Sequence, residues 1–311
     1  MNSATARPKI IIICGPTGIG KTAVAIVLAQ HFNGQILGAD SMQVYKHMDI
    51  GTAKPTAEEK TCVVHHMIDI VEPDESFDAA QFSERARAKI FELSRQNIIP
   101  FVVGGTGLYI KTLLYGLFNA HVFDPEVRER LKAEADTQGI EFLYERLSGL
   151  DPDTAKRLHP NDTYRIFRAL EVVESTGQAI SKHHKNHGFL EQPFASLKIG
   201  LSMDRAVLYE RINTRVDAMI SAGFLDEVKG LLARGISVDH KPMQSIGYRH
   251  LVDYIEGRLS WEECVRTLKR DHRRYAKRQL TWFGADAEII WKEPAQLNEM
   301  TDLINNFLGR T

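Results

Sequence analysis

The stretch IIIICGPTGIGKTAVAIVLAQ, residues 10–30, decides how this chain is organised. An apolar run, a glycine-rich turn and a second apolar segment follow one another, which predicts a strand, a loop and a helix. The spacing Gly15-x4-Gly20-Lys21-Thr22 fits the P-loop pattern G-x-x-x-x-G-K-[ST] without a departure. The backbone N–H groups of such a loop, and the helix N-terminus behind it, bind phosphate. The sequence therefore predicts a site for a di- or triphosphate at Gly15, Pro16, Thr17, Gly18, Ile19, Gly20, Lys21 and Thr22, with the Thr22 hydroxyl as a ligand to Mg²⁺.

The composition is that of an ordinary globular protein. Of the 311 residues, 43% are hydrophobic and 25% are charged, and the formal net charge is −1, so any surface for nucleic acid must be a local patch. The longest apolar runs are far shorter than a membrane span, and the N-terminus has no apolar signal segment. We therefore expect a cytoplasmic protein without a membrane anchor. Three scattered cysteines predict neither a disulfide framework nor a zinc site.

Later segments extend the P-loop unit to a larger α/β fold. Short apolar runs at residues 35–39, 65–71, 98–103 and 197–201 are typical of buried strands. Apolar residues at helical spacing predict a helix over residues 78–96 and one long helix over 205–233. We predict an α/β protein with a P-loop NTPase-like parallel sheet flanked by helices.

The composition changes in the middle of the chain. Residues 121–193 show short amphipathic segments rich in Arg, Glu and His, without a strand pattern. This indicates an inserted all-helical domain. We predict a catalytic core formed by residues 1–120 and 194–311, which carries the basic C-terminal part, and a helical insertion over 121–193.

Asp40 is the best-placed acid near the P-loop. It follows the predicted second strand, so it leaves the sheet at the carboxyl edge, where ligands of open α/β sheets bind. A kinase or NTPase also needs an acid on a later strand, but the run 98–103 ends in Gly104, Gly105 and Thr106. From its position alone, Asp40 is either a catalytic carboxylate or a helix-capping acid of a loop.

A basic segment near the C-terminus is the other notable feature. Between Val265 and Leu280 one acid, Asp271, stands among seven cations, and the aromatics Trp282 and Phe283 follow. The cations are Arg266, Lys269, Arg270, Arg273, Arg274, Lys277 and Arg278. Such a segment is either a solvated helix face or a surface for phosphate backbones, and its density beside stacking-capable rings favours nucleic acid.

Together these residues resemble one known family. The motifs GPTGIGKT, ADSMQVYKHMDIGTAKPT, HHMIDI, GGTGLYIK, HPNDTYRIFRALEV and RRYAKRQLTWF occur in one order over residues 9–283. This arrangement is similar to the tRNA isopentenyltransferases of bacterial type. Relatives that modify free adenine nucleotides resemble the N-terminal motifs but lack the basic RRYAKRQLTWF block.

The resemblance implies a prenyl transfer to tRNA. The dimethylallyl group of dimethylallyl diphosphate would move to N6 of the adenosine 3′-adjacent to the anticodon, with Mg²⁺ as cofactor and release of pyrophosphate. The adenine would have to leave its stack to react. The partners would be the tRNA anticodon stem-loop and dimethylallyl diphosphate, with no membrane, and we expect a monomer because no dimerisation seam stands out.

The resemblance also implies roles for individual residues. It implies three catalytic residues: Asp40 as the base, Thr106 at a strand-end position that contacts tRNA, and Arg215 as an arginine at the diphosphate. For the last two a helix-cap role and a surface salt bridge are the alternatives. Contacts with tRNA are implied for Asp40, Ser41, Met42, Gln43, Thr106, Arg128, Tyr164, Arg165, Arg168, Gln244, Gly247, Tyr248, Arg249, Lys277, Arg278, Gln279 and Trp282.

Two other enzymatic functions remain open at this point, and a non-enzymatic RNA-binding module is a weaker third alternative because it would leave the P-loop and Asp40 without a task. A P-loop nucleotide kinase or NTPase would turn over ATP without tRNA. An adenylate isopentenyltransferase would prenylate free nucleotides, although the basic block around residues 270–278 speaks against it.

Overall fold

Six strands form one parallel sheet in the computed structural model, which describes residues 7–116, 125–182 and 191–310. The strands are β1 Lys9–Cys14, β2 Gly34–Gly38, β3 His65–His66, β4 Ile99–Gly104, β5 Ala195–Leu201 and β6 Ile290–Lys292. Their spatial order is β3-β2-β4-β1-β5-β6, and each pairing is parallel. The predicted parallel α/β sheet is confirmed.

Helices connect and cover these strands. Those that belong to the same unit as the sheet are α1 Lys21–His31, α2 Ala57–Cys62, α3 Ala79–Arg95, α4 Gly107–Tyr115 (its last residue excepted), α9 Arg205–Ser221, α10 Phe224–Ala233, α11 Tyr248–Ile255, α12 Trp261–Gly284 and α13 Leu297–Leu308. None of the helices in the described part of the chain is long and apolar enough to cross a bilayer.

The central strand β1 is buried along all of its length except Lys9. Its isoleucines, Ile10 to Ile13, are at most 1% exposed, because β1 lies between β4 and β5. Residues that are buried on both faces of a parallel sheet form a continuous apolar run, as this one does. Cys14 ends the strand, and burial raises the pKa of its thiol to about 12. The cysteine is therefore a packing residue, as its apolar surroundings in the sequence indicate.

The start of α3 follows directly from local sequence. Asp78 accepts hydrogen bonds from the backbone N–H groups of Ala80 and Gln81, and the Gln81 side chain accepts from the backbone N–H of Asp78. This reciprocal capping box satisfies donors that a helix N-terminus otherwise leaves unpaired. The helix predicted over residues 78–96 is confirmed.

The prediction of one continuous helix over residues 205–233 is wrong. The structure has two helices, α9 and α10, which are separated at Ala222 and Gly223. Gly223 has a φ of 96°, a left-handed conformation that glycine adopts at little cost. The apolar spacing continues across the break, so periodicity alone did not reveal it. The edge strand β6 was not predicted, and β3 is only two residues long.

The chain divides into two compact units, residues 1–114 with 192–311 and residues 115–191. The second unit contains α5 Pro125–Gln138, α6 Ile140–Leu150, α7 Pro152–Ala155 and α8 Thr163–Thr176. Its described part holds no strand, and Leu131, Leu143, Leu147, Ile166 and Leu170 form its core. The division falls a few residues before the predicted boundaries at 120/121 and 193/194.

A glycine at the end of β4 allows the strands to approach closely. A Cβ atom on Gly104 would lie 2.0 Å from the backbone oxygen of Ala39, which follows β2. The N–H of Ala39 donates to the carbonyl of Val103 at 2.8 Å, and the N–H of Thr106 donates to the carbonyl of Ala39 at 3.1 Å. This contact joins the carboxyl ends of β2 and β4.

We expect Gly104→Ala to lower the free energy of unfolding by about 2 kcal/mol, since backbone must move to admit the methyl group. Gly230→Ala in α10 is the matched control, because nothing lies within 4 Å of its Cβ position. That helical substitution should raise the free energy of unfolding by about 0.5–1 kcal/mol. Urea denaturation of both variants measures the difference, and equal stability of the two would contradict this account of the β2–β4 contact.

Candidate active site at the carboxyl edge of the sheet

The P-loop connects β1 to α1 as predicted. Gly18 and Gly20 have φ values of 80° and 101°, which side chains rarely adopt, so the glycines of the motif are required by the turn. Ile19 is fully buried and anchors the loop in the core, so only its backbone faces the cradle. Lys21, at the first position of α1, donates from Nζ to the carbonyl of Pro16 at 2.8 Å.

Asp40 and Thr106 meet at the carboxyl edge formed by β2 and β4. Asp40 Oδ1 accepts from the backbone N–H groups of Met42 at 2.9 Å and Gln43 at 3.3 Å. Thr106 Oγ1 accepts from the N–H of Ser41 at 3.0 Å. No donor to Asp40 Oδ2 is found among the described residues, so one carboxylate oxygen stays available to a ligand. Oδ1 therefore caps the turn, which is one of the two roles that the sequence leaves open for Asp40, and the catalytic role stays a prediction.

Two cations lie at the P-loop, Lys21 within it and Arg215 beside it. Arg215 on α9 donates from Nη1 to Thr17 Oγ1 at 3.2 Å, which places it at the loop as expected from the resemblance. Burial and the charge of Arg215 lower the pKa of Lys21 from 10.5 to about 8, although the carboxylate of Asp40 opposes the shift. Burial likewise lowers the pKa of Arg215, again against Asp40. Two desolvated cations near each other make a strong anion site.

The loop after Asp40 is held from α10. The carboxylate of Glu227 accepts from the N–H groups of Asp49 (2.8 Å), Ile50 (2.7 Å) and Gly51 (3.1 Å). The hydroxyl of Tyr248 donates to the same carboxylate at 2.6 Å. Three consecutive backbone N–H groups donate charge-assisted hydrogen bonds to one carboxylate, and these bonds fix the loop.

Three residues predicted to contact tRNA support this loop. Tyr248 is fully buried and uses its hydroxyl on Glu227, and Gly247 is buried beside Phe224. Gln43 is half-buried and donates from Nε2 to the carbonyls of Thr52 and Ala53, both at 3.1 Å. For these side chains the structure provides a role in folding the loop, and their contact with tRNA stays a prediction.

Most cations of the basic helix α12 are already paired. Asp271 interacts with Arg249 (2.9 Å), Arg270 (2.9 Å), Arg274 (3.7 Å) and His250 (3.2 Å). Although burial alone would raise it, the hydrogen bonds from Arg270 and His250 hold the pKa of Asp271 at about 2. The remaining contacts are Lys269 with Asp217, Arg266 with Glu263, and Arg273 with Asn213.

Lys277 and Arg278 are the cations of the helix for which neither an ion pair nor a side-chain hydrogen bond is found among the described residues, whereas Arg273 bonds to the neutral Asn213. Both are exposed, and the Arg278 guanidinium lies 5.5 Å from the centre of the Tyr275 ring. Trp282 is 45% exposed, and its indole Nε1 would lie 2.1 Å from a Cβ on Gly107. Fewer free cations therefore remain than the seven that the sequence shows. They lie at the end of the helix near the loop after β4.

The other predicted tRNA contacts are spread over both units. Gln244 and Arg249 are exposed in the first unit. In the helical unit Tyr164 is 73% exposed and Arg165 is exposed. Arg128 and Arg168 lie 3.6 Å and 3.4 Å from the buried carboxylate of Glu171. Of the four predicted residues in the helical unit, Tyr164 and Arg165 are therefore exposed, with Arg165 3.5 Å from Asp162, while Arg128 and Arg168 face the buried Glu171.

Sequence reasoning missed several residues of this region. Glu227 carries no motif, and only the fold places it under residues 49–51. Tyr275 and His272 belong to the basic segment, but their role could not be distinguished from that of a helix face. Burial, then the charge of Arg215, lowers the pKa of His272 to about 4, so this imidazole stays neutral beside the arginine.

The fold and this site define a class, an α/β protein with a P-loop and the carboxylate of Asp40 at the same edge of a parallel sheet. A family model described as IPP transferase matches residues 43–286, downstream of the P-loop and Asp40. The chain belongs to the IPP transferase family.

Individual relatives extend this similarity over nearly the whole chain. A protein named tRNA dimethylallyltransferase from Desulfosudis oleivorans is 54% identical over 303 residues, which cover 97% of this chain and 96% of the relative. A second protein, named tRNA dimethylallyltransferase 2, from Syntrophus aciditrophicus is 50% identical over 99% of each chain.

Solved structures agree with these relatives. The full-length tRNA isopentenylpyrophosphate transferase from Bacillus halodurans is 41% identical and superposes with a TM-score of 0.74 over 97% of each chain. A eukaryotic dimethylallyltransferase acting on tRNA is 29% identical, with a TM-score of 0.79 over 97% of this chain and 80% of that one.

The lowered pKa of Lys21 predicts that the affinity of the P-loop for an anion depends on pH. A buried lysine that binds an anion must be protonated, so affinity for inorganic pyrophosphate should fall by up to about tenfold per pH unit above pH 8. Because pyrophosphate itself titrates, the wild-type profile is compared with that of Lys21→Arg, whose cation stays charged. Titration calorimetry between pH 6.5 and 9.5 should show the steeper loss in the wild type, and parallel profiles would contradict the assignment.

Proposed function

We infer that the chain transfers the dimethylallyl group of dimethylallyl diphosphate to N6 of the adenosine 3′-adjacent to the anticodon in tRNA. The observation that carries this inference is the identity of 54% over nearly the whole length to a protein named tRNA dimethylallyltransferase. The site supports it physically, because a P-loop and the carboxylate of Asp40 share one sheet edge. The transfer requires a site that binds the diphosphate leaving group and a base that accepts a proton.

The reaction makes one bond and breaks one. The N6 amine forms a carbon–nitrogen bond to the allylic carbon, and the carbon–oxygen bond to the diphosphate breaks. The electron pair of that bond leaves with the pyrophosphate, and the amine loses one proton. Asp40 Oδ2 is the available acceptor for this proton, since Oδ1 is held by Met42 and Gln43. The amine is a weak nucleophile, so a positioned base accelerates the transfer.

The P-loop side stabilises the charge that grows on the leaving group. Backbone N–H groups of the glycine-rich turn, Lys21 and the guanidinium of Arg215 are all placed for an anion. Because Arg215 bonds to Thr17 Oγ1, it lies at the loop and can reach a bound diphosphate. Preorganised donors in a desolvated site lower the barrier more than the same groups would in water.

The donor set also fits Mg²⁺ that is held mainly by the substrate. No cluster of three or more His, Cys, Asp or Glu side chains exists among the described residues, so an all-protein cage is absent there. Mg²⁺ typically keeps several waters and uses one or two protein oxygens beside substrate phosphates. The Thr22 hydroxyl, in the first turn of α1, is the oxygen that would serve. The ion would supply additional positive charge for the leaving pyrophosphate.

The tRNA side of the proposal rests on exposed cations and rings. Lys277, Arg278 and Trp282 lie at the end of α12 that passes the loop after β4, and Tyr164 and Arg165 are exposed on the helical unit. Lys and Arg neutralise phosphates, and exposed rings stack on unpaired bases. A flipped adenosine would then reach the edge that carries Asp40.

One assay separates this function from its rivals. The protein is incubated with Mg²⁺ and labelled dimethylallyl diphosphate, together with unmodified tRNA, AMP, ADP or ATP, and label is followed into each acceptor. We expect transfer to tRNA alone. Transfer to free nucleotides without transfer to tRNA would indicate an adenylate isopentenyltransferase, and release of ADP from ATP without transfer would indicate a kinase or NTPase.

The role of Asp40 is tested by Asp40→Asn, which keeps an oxygen for the N–H groups of Met42 and Gln43 but removes the base. We expect the transfer rate to fall by about 10²–10⁴-fold while the Kd for tRNA changes by less than about threefold. Asp302→Asn, an exposed acid on α13, is the control and should keep the wild-type rate. A parallel loss of tRNA binding would make Asp40 a structural residue.

The unpaired cations are tested by the double variant Lys277→Ala with Arg278→Ala. We expect weaker tRNA binding at each salt concentration, and a plot of log K against log salt whose slope is shallower by about 1–2. The control removes two cations of α3, Lys89→Ala with Arg95→Ala, and should keep the wild-type slope. Equal slopes for both double variants would contradict a specific tRNA surface at the end of α12.

A further inference from the structure

The side chain of Gln279 points into the protein, although it belongs to the basic helix. It is 6% exposed, whereas its neighbours Lys277 and Arg278 are exposed. Gln279 Oε1 accepts from the backbone N–H of Thr17 at 2.8 Å, and Nε2 donates to the carbonyl of Gly105 at 2.9 Å. The two partners require opposite ends of the carboxamide, so its orientation is determined. One side chain thus joins the P-loop to the loop that follows β4.

The surroundings of Gln279 are built for this bridge. A Cβ atom on Gly105 would lie 2.2 Å from Gln279 Nε2 and 3.3 Å from the carbonyl oxygen of Gly15, so only glycine leaves room for the amide. The amide is therefore fixed by two backbone groups, the N–H of Thr17 and the carbonyl of Gly105.

The two loops that Gln279 joins hold different halves of the reaction. Thr17 belongs to the P-loop and bonds to Arg215, on the side of the leaving diphosphate. Gly105 precedes Thr106, which bonds to Ser41 beside Asp40, on the side of the accepting amine. Transfer requires the two reacting atoms to be about 3–3.5 Å apart and aligned, so the spacing of these loops bears directly on the rate.

We propose that Gln279 is a positioning residue, which holds the diphosphate loop and the Asp40–Thr106 loop in register for prenyl transfer. This inference rests on the proposed function and deepens it. It gives this residue a role within the protein, because both ends of the carboxamide are used by the protein itself, and the contact with tRNA that the resemblance implies stays a prediction. The basic helix then has two faces with different tasks, an outer face with Lys277 and Arg278 and an inner face that sets the geometry of the site.

The test separates positioning from binding. Gln279→Met keeps the length of the side chain and removes both hydrogen bonds, and Gln279→Glu keeps an acceptor for the Thr17 N–H but loses the donor to Gly105. We expect kcat for tRNA prenylation to fall by about 10–100-fold in the Met variant, and the Kd values for tRNA and inorganic pyrophosphate to change by less than about threefold. Gln96→Met, an exposed glutamine at the end of α3, is the control and should keep the wild-type kcat.

A second variant disturbs the same bridge from the other side. In Gly105→Ala the added methyl group displaces the amide of Gln279, so kcat should fall to a similar extent. If the bridge is the shared cause, the double variant Gly105→Ala with Gln279→Met should be no more than about threefold slower than the slower single variant. Losses that multiply instead would overturn the proposal.

The remaining outcomes are also decisive. A kcat of Gln279→Met within about twofold of the wild type would overturn the inference, because a loss of alignment between the reacting atoms must slow the transfer. So would a loss of kcat that tracks an equal loss of tRNA affinity, pyrophosphate affinity and thermal midpoint, since that marks a general structural role. If the wild-type chain itself transfers no label to tRNA, the proposed function fails first.

Discussion

The approach of β2 to β4 at their carboxyl ends is the constraint on which this site depends. Gly104 lies against the backbone of Ala39, and the N–H of Thr106 bonds to the carbonyl of Ala39. These backbone contacts bring Thr106 to Ser41, and hence close to Asp40. The packing of the backbone alone sets this proximity. Because β1 pairs with the other side of β4, the P-loop emerges at the same edge. The sheet therefore supplies the geometry, and the side chains supply the chemistry.

Charge around this edge is distributed unevenly, and the distribution follows from burial. Lys21 and Arg215 are desolvated cations at the P-loop, and a bound anion would offset the cost of their burial. Asp271 binds three arginines and His250, so it fixes the first part of the basic helix and neutralises much of its charge. The cations beyond it, Lys277 and Arg278, are left for solvent or a ligand. One helix can thus be both a structural element of the core and a binding surface.

The elements with strong local signals could be predicted from the sequence. The P-loop has a glycine pattern that the backbone requires, and α3 begins at the capping box of Asp78 and Gln81. The break at Gly223 was missed because the apolar spacing of α9 continues into α10 across it, and β6 was missed because three residues carry too little pattern. Tyr248 and Gln279 were placed with the tRNA contacts, but their burial depends on neighbours that are distant in sequence.

The sequence by itself determined the class of fold, the phosphate loop, the candidate base and the membership of the family, because each rests on short segments whose residues act through their own backbone or order. Only the tertiary structure decided which of those residues meet. Gln279 bridges Thr17 and Gly105 across separations of 262 and 174 residues, and Glu227 holds a loop 176 residues away. Such contacts follow from how the strands and helices pack, since a hydrogen bond needs its partner within about 3 Å and no local pattern encodes a distant one.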